Sequence, residues 1–381
     1  MAARFKAKEK AEAGVEASLP PRRSNVYFGA KEVDFVRSGC TLLDCVASGG
    51  GKGGWPLGRI VNLVGDKSTG KTLLAIEACA NFAAQYPKGQ IWYREAEAAF
   101  DVSYAKDLGL PVEMIDFGPD GPGNSWSTIE DVFEDLQKCL ASVEKTTDVL
   151  AKKLREKDKK LTDKEARSRA LRSTPPGLYI IDSLDALSSA KEVDRDIREG
   201  SYNLEKQKLM GELFRTLVRR LSKARVCVII ISQIRDKIGA MIRGAKYTRS
   251  GGKALDFYAS LVIYLSDLGK LYRTIRGVKR TTAVKIKAKC NKNKISMPFR
   301  ECQFTILFGY GIDDEAASVD WLKEVNRLKD AGFVDAKGAA AEPDDLDKVD
   351  SVKLREDVVR VWQDIEAGFR PTKSKYGNKA A

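Results

Sequence analysis

Histidine is missing from all 381 residues. Its absence rules out Ser-His-Asp triads, Cys-His dyads and every histidine-ligated metal. Any general base has to be a carboxylate or a group acting through water. Cysteine is sparse and unpatterned: Cys40, Cys45, Cys79, Cys139, Cys227, Cys290 and Cys302 are odd in number, scattered, and include no C-x-x-C. That spacing speaks against a disulfide framework or a zinc site and for reduced thiols in a cytosol. Long apolar runs are also lacking. The most apolar strand-like stretch, Val226 to Ile231, falls far short of the ~20 residues a membrane-spanning helix requires. The segment Met1 to Lys10 is charged and has no apolar core, so no secretory signal is expected.

What is present is charge of one sign and enough apolar mass for a core. The formal net charge is +13, which points to a polyanionic partner, nucleic acid before membrane. A hydrophobic content of 43% over this length supports one large α/β core with small additions.

The stretch Gly65-Asp66-Lys67-Ser68-Thr69-Gly70-Lys71-Thr72 satisfies G-x-x-x-x-G-K-[ST] at every fixed position. An apolar strand-length segment, Arg59 to Val64, precedes it, and the helix formers Leu73 to Cys79 follow. Strand, glycine loop and helix together aim backbone N–H groups at phosphate oxygens. Gly65 and Gly70 let the backbone curl. Lys71 is expected to reach the β/γ-phosphates, and the Thr72 hydroxyl to ligate Mg²⁺. The cofactors implied are ATP and Mg²⁺.

Along the rest of the chain, residues 1 to about 23 read as a helix or loose arm broken by Pro20-Pro21, and Ser24 to Gly29 as a short strand. Gln90 to Arg94 reads as a second core strand ending in Glu95-Ala96-Glu97, acids where α/β folds place ligands. Ser127 to Leu140 has one apolar helical face. Residues 143 to 172 hold eleven Lys/Arg against six Asp/Glu and include a capping box, Thr162-Asp163-Lys164-Glu165. They read as a protruding helical hairpin, either a solvated face or an auxiliary DNA-contacting or filament-lining lobe. Leu178 to Asp182 is a buried-type strand ending in an acid, the Walker B arrangement, so Asp182 is expected to help hold Mg²⁺. Leu209 to Leu221 is an amphipathic helix whose Arg215, Arg219 and Arg220 read as solvated, with Arg215 kept as a DNA-contact candidate. A strand over Arg225 to Ile231 leads into a long aperiodic loop, Asp236 to Lys253, of a length that marks function. Phe257 to Leu265 and Thr282 to Lys289 read as strands, and Gln303 to Phe308 as the closing one. From Asp313 on, the pattern is helical: Trp321, Val325, Leu328 and Leu354, Val358, Val361 repeat at i, i+4, i+7. Between them lies a polar linker, Gly338 to Asp350, and a basic tail follows Phe369.

The P-loop, the acids after the second strand, Ser232-Gln233-Ile234-Arg235 and Gly251-Gly252-Lys253 occur in an order that resembles the RecA-type recombinases, phage-encoded ones included, from about Ser38 to Gly311. The resemblance is densest at Gly58 to Thr72, at Glu95 to Asp101 with Ser103-Tyr104-Ala105, at the two loop borders (Gln233 to Gly239, Gly251 to Ser260), and at Lys292-Asn293-Lys294-Ile295 with Pro298-Phe299. It implies an α/β fold: a RecA-type P-loop ATPase core with a mostly parallel sheet flanked by helices, spanning 38–311. An N-terminal oligomerisation arm (1–37) and a small C-terminal helical region with a basic tail (312–381) would flank it. It further implies that Glu97 activates the attacking water, that Asp101 and Tyr104 hold adenine, and that Gln233 senses the γ-phosphate. Lys292 and Lys294 would reach a neighbouring subunit's nucleotide as arginine-finger equivalents. The 143–172 segment and the basic tail depart from the cellular pattern, and no residue is carried over from the stretch resembling the first DNA loop, about Lys191 to Tyr202.

A recombinase grips single-stranded DNA by its backbone, with cations at the phosphates and apolar wedges between bases. The loop from Arg235 to Lys253 has both: Arg235, Lys237, Arg243, Lys246, Arg249 and Lys253, with Ile238 among the apolar members, and the Gly251-Gly252 border. The expected activity is that of a cytoplasmic, DNA-dependent ATPase, in a bacterium or a phage-infected host. It would form a helical homo-oligomer on single-stranded DNA and pair it with a homologous duplex. A ring-shaped helicase on the same core and a nucleotide-gated mediator are the rival readings. The chain lacks the large N-terminal domain expected of the first, and its intact Lys71, Glu97 and Asp182 disfavour the second.

Overall fold

The computed structural model describes residues 33–97, 100–119, 121, 126–193, 203–236, 247–249, 252–335, 337–343 and 346–370. The described residues open with β1 (Phe35–Val36), α1 (Thr41–Ser48) and β2 (Trp55–Pro56), followed by the P-loop unit β3 (Ile60–Gly65) and α2 (Lys71–Gln85). Next come β4 (Gln90–Glu95), α3 (Val102–Asp107), β5 (Ile115–Asp116), α4 (Ile129–Lys157), α5 (Asp163–Ser173) and β6 (Gly177–Asp182). The central part continues through α6 (Ala190–Val193), α7 (Asn203–Ala224), β7 (Val226–Asp236), β8 (Tyr247–Arg249) and α8 (Gly252–Tyr258). The described residues close with β9 (Leu261–Ile275), β10 (Val278–Asn293), β11 (Glu301–Leu307), β12 (Gly311–Asp313), α9 (Asp314–Glu324) and α10 (Ser351–Gly368).

One sheet dominates, in the order β12-β11-β10-β9-β3-β7-β6-β4-β5, with β8 hooked onto β7. The strands from β9 to β5 run parallel, and β10, β11 and β12 add an antiparallel wing. Both faces of the parallel part are covered, which is why its strands read as near-continuous apolar runs. Val61, Leu63, Ile180 and Ile229 pack with α1, α2 and the C-terminal helix α10 on one face. Ile60, Val64, Tyr179, Ile181, Val228 and Ile230 pack with α4 and α7 on the other. The fold is the α/β, mostly parallel, helix-flanked architecture that the motif order implies.

Several boundaries differ from the sequence expectation. Phe257 and Tyr258 belong to α8, and the strand expected there begins at Leu261. The two strands expected to end near Leu265 and begin near Thr282 run on as a hairpin that turns at Arg276 and Gly277, both at positive φ. The helix expected to end at Leu140 continues as α4 to Lys157, because Val143 and Thr147 prolong its buried face. The basic segment is therefore the outer half of α4 joined to α5, and the Thr162–Glu165 capping box is formed at the start of α5. Leu328 lies beyond the end of α9, in a short 3-10 turn. Residues 1–32 of the N-terminal arm, with the Ser24 to Gly29 strand, and the basic tail beyond Arg370 lie outside the described residues, and the end of the arm forms β1.

Candidate active site

Strand register gathers the site. Gly65 at the end of β3 lies beside Gln233 on β7. Glu95 at the end of β4 lies beside Asp182 at the end of β6. The carboxyl ends of four parallel strands thus meet at one edge, where open α/β sheets bind ligands. A cleft of about 440 Å³ opens there, lined by the loop from Lys67 to Thr72 together with Glu97, Asp182 and Gln233.

The loop is shaped for an anion. Gly70 takes φ 79° immediately before α2, and a Cβ there would run into Ile306 Cδ1. A Cβ on Gly65 would meet Thr69 Oγ1 at 2.5 Å. No side chain caps α2, so its first-turn amides face the cleft as a phosphate cradle. Thr69 Oγ1 donates to Asp66 O at 2.9 Å, and Lys71 Nζ donates to the same carbonyl at 2.6 Å. The outer turn is fixed by the Lys67 N–H, which donates to Asp66 Oδ1 at 2.7 Å, and by Ser68 at φ 58°.

Lys67 and Lys71 face Glu97 and Asp182 across the cleft, and Asp66, Asp185 and Glu95 close by tip the balance toward negative. Burial lowers the Lys71 pKa, while Asp182, Glu97, Asp66 and Asp185 pull it back up. Burial lifts Asp182 to about 6, held down by hydrogen bonds from Tyr93 and Thr72 and raised further by Glu97 and Glu95. The Tyr93 hydroxyl donates to Asp182 Oδ2 at 2.7 Å. A bare helix N-terminus beside a surplus of carboxylates suits a polyphosphate accompanied by a divalent cation, hard oxygen donors being its preferred ligands. The residues present therefore fit ATP with Mg²⁺, which Thr72 and Asp182 would hold.

Glu97 and Gln233 are joined. Gln233 Nε2 donates to Glu97 Oε1 at 2.9 Å, and the Ser183 hydroxyl donates to the same oxygen. Gln233 is anchored through its backbone N–H, which donates to Asp185 Oδ2 at 2.7 Å. From there β7 continues into the β7–β8 hairpin, pairing Ile234 with Arg249, Arg235 with Thr248 and Asp236 with Tyr247. The loop's first border is thus a strand, β7, which runs three residues past the amide that touches Glu97 before it ends at Asp236.

A profile of the RecA N-terminal domain matches residues 25–134 and 155–313. The chain belongs to the RecA family. It is 31% identical over 300 residues to Protein RecA of Streptomyces venezuelae, covering 79% of this chain and 67% of that one. It is 32% identical over 291 residues to Protein RecA of Wolinella succinogenes (76% and 70% covered), and 31% over 302 residues to that of Bacteroides thetaiotaomicron (79% and 77% covered). The interruption of the RecA match, at 135–154, falls inside α4 and overlaps the first part of the 143–172 segment.

Not every expected residue joins the cleft. Asp101 caps α3, accepting from the Tyr104 N–H at 3.0 Å, and neither residue lines the cleft. Lys292 and Lys294 sit at the end of β10, where Asn293 pairs with Leu261 beside Val61, at the entry end of β3 rather than its P-loop end. Both donate to the Phe257 carbonyl, at 3.1 and 2.7 Å, and Lys292 also to that of Asp256, at the C-terminal end of α8. Arg215 is exposed on α7, away from the cleft. Of the DNA-contact candidates, Lys237, Ile238, Arg243, Lys246 and Gly251 lie outside the described residues. Arg235, Arg249, Gly252 and Lys253 are placed by backbone alone. Sequence reasoning missed Tyr93, Ser183 and Asp185. The last two follow Asp182 directly in Asp182-Ser183-Leu184-Asp185, and hydrophilic residues at the mouth of a Walker B strand were the available signal.

Proposed function

We propose that this RecA-family chain is an ATP-dependent DNA recombinase, which assembles as a helical homo-oligomer on single-stranded DNA, pairs that strand with a homologous duplex and hydrolyses ATP to release it. The carrying observation is the hydrogen bond between Gln233 and Glu97. It couples the one carboxylate at the cleft mouth suited to activating water with the residue that opens the basic loop.

Lys71 and the first-turn amides of α2 would hold the phosphates, and Thr72 and Asp182 the Mg²⁺. When bound, Mg²⁺ neutralises phosphate charge. Glu97 would orient water and accept its proton. Ser183 fixes the Glu97 carboxylate, so the base is positioned before substrate arrives. A γ-phosphate oxygen would compete with Glu97 for the Gln233 amide. Turning that amide moves the start of the β7–β8 hairpin, and with it the cations between Arg235 and Lys253. Asp101 and Tyr104 would complete the adenine side. Lys292 and Lys294, remote from their own P-loop, would serve the nucleotide of the next subunit, tying turnover to assembly. The oligomer would use residues 1–37 as an arm, 38–311 as the ATPase core and 312–381 as a small helical end piece. Its place of work would be the cytoplasm of a bacterium or phage-infected host.

The coupling is tested with Gln233→Ala. A fluorescent oligonucleotide is titrated with salt, with and without a non-hydrolysable ATP analogue. The variant is expected to bind the analogue yet show one DNA affinity in both conditions, whereas wild type tightens with the analogue. A variant that still tightens would place the coupling elsewhere.

A further inference from the structure

Glu144 and Thr147 of α4, Lys164 to Leu171 of α5 and Arg219 to Ala224 at the end of α7 line a groove of about 600 Å³. Five cations line it, Lys164, Arg167, Arg219, Arg220 and Lys223, against one acid, Glu144. Glu144 is consumed by Arg220, whose Nε and Nη2 donate to its two oxygens at 3.1 and 2.9 Å. Arg167 is 3.1 Å from Asp148 on α4. Lys164, Arg219 and Lys223 are exposed and have no ion-pair partner among the described residues. Three uncompensated positive charges facing one groove repel each other, and an anion in the groove removes that cost.

The nature of the anion follows from what else lines the groove. Lys164 and Arg167 are spaced i, i+3 on α5, and Arg219 and Lys223 i, i+4 on α7. Each helix therefore carries two cationic side chains whose Cβ atoms are about 5–6 Å apart, one pair on either side. A linear polyanion suits this arrangement better than a single small ion. The lining has no aromatic side chain, so it has no platform on which unpaired bases would stack. Contacts to phosphates alone suit a duplex, whose bases are already stacked and whose backbone is outermost. Location separates this groove from the active site. α7 ends at Ala224 and β7 starts at Val226, at the opposite end of the sheet from Gln233. The strand from Val226 to Gln233 spans about 23 Å at ~3.3 Å per residue. The RecA profile is interrupted over 135–154, within the α4 stretch that supplies Glu144 and Thr147 to the groove.

We propose that the groove between the α4–α5 arm and α7 is a second nucleic-acid site, one that holds the phosphodiester backbone of duplex DNA without regard to sequence. It rests on the recombinase reading and adds a place for the duplex; the two fail separately, because ATP turnover and single-strand binding are read apart from duplex binding below.

The test uses the full chain with Lys164→Gln, Arg219→Gln and Lys223→Gln combined. A labelled duplex is titrated across a range of sodium chloride concentrations. Loss of three phosphate contacts is expected to lower the magnitude of the log–log salt slope by about 2.7, at ~0.9 per contact, and to weaken duplex binding at low salt by about tenfold or more. Single-strand affinity and single-strand-stimulated ATP turnover should stay at wild-type values, which also shows that the variant is folded. A matched control, Lys145→Gln, Lys152→Gln and Lys153→Gln, removes equal charge from exposed positions of α4 outside the groove and should shift the slope far less. The proposal is overturned if duplex affinity and slope do not change in the groove variant. It is equally overturned if the control loses as much, since net charge would then be the cause, or if polyglutamate loses affinity for the groove variant while duplex does not.

Discussion

Tyr93→Phe isolates one hydrogen bond at the centre of the cleft. Tyr93 is fully buried, and its hydroxyl donates to Asp182 Oδ2 at 2.7 Å. The substitution keeps the ring, its edge contact with Phe100 and the packing volume, and removes only the donor. A hydrogen bond to a charged group contributes about 1.5–3 kcal/mol, which is about 1–2 pKa units at ~1.4 kcal/mol each. Burial already holds Asp182 at about 6. Loss of the donor should therefore carry it to about 7–8. The carboxylate is the form that attracts Mg²⁺, so the active form is lost as pH falls through this value. At pH 7 wild type is mostly ionised and the variant is about half ionised or less. The assay is kcat/KM for ATP at subsaturating Mg²⁺ from pH 5 to 9, which reports ionisations of the free enzyme. The acid limb should move up by about 1–2 units, and raising Mg²⁺ should pull it back. An acid limb that stays in place, in a variant that still folds, refutes the assignment of Asp182 as the titrating metal-holding group.

Glu97→Gln should preserve nucleotide binding and lose most turnover, about 10²-fold or more, leaving DNA complexes that persist; normal hydrolysis would move the base elsewhere. Lys294→Ala should bind nucleotide normally as a lone subunit but hydrolyse poorly on DNA. Mixing it with Lys71→Ala protein should restore some turnover at junctions where an intact P-loop meets an intact lysine, and mixed oligomers without rescue would rule out action across the interface. Asp44 lies buried under Ser38, and burial lifts its pKa to about 7 from 3.8. The folded state thus binds this proton more tightly than the unfolded state, so stability falls as pH rises from about 4 and the loss is complete above about 7, with a ceiling on the order of 4 kcal/mol. Asp44→Asn keeps an acceptor for the Ser38 N–H and hydroxyl. Its margin over wild type in urea unfolding should widen as pH rises from 4 through 5 to 8; a margin that stays constant across that range would contradict the assignment.

The phosphate end of the site was legible because its chemistry is local. Gly65, Gly70, Lys71 and Thr72 lie within one turn of backbone, and their spacing alone specifies a cradle. Asp182 was legible because an apolar run must end where the sheet meets water. The Glu97–Gln233 contact was not readable from spacing, since it joins residues 136 positions apart through strand register; only the resemblance named both. Tyr93 was hidden because a buried tyrosine looks like any core aromatic until its hydroxyl is placed. The misassigned strand at Phe257 has a physical cause. Leu255 and Ala259 are buried four residues apart, a helical interval, yet the aromatic and β-branched residues that follow favour a strand. The β9–β10 extension was missed because its apolar residues Leu271, Tyr272, Ile275 and Val278 are exposed, so neither burial nor alternation marks it. Its turn, Arg276-Gly277 between two strand-like runs, was the readable signal.

The central claim is that ATP and single-stranded DNA together drive an open polymer in which Gln233 links nucleotide to DNA. Electron microscopy of the protein with a non-hydrolysable ATP analogue and long single-stranded DNA tests it directly. The expected images are open helical filaments that form with both ligands and are lost in Gln233→Ala. Closed rings, or filaments that form equally well without nucleotide, would contradict it.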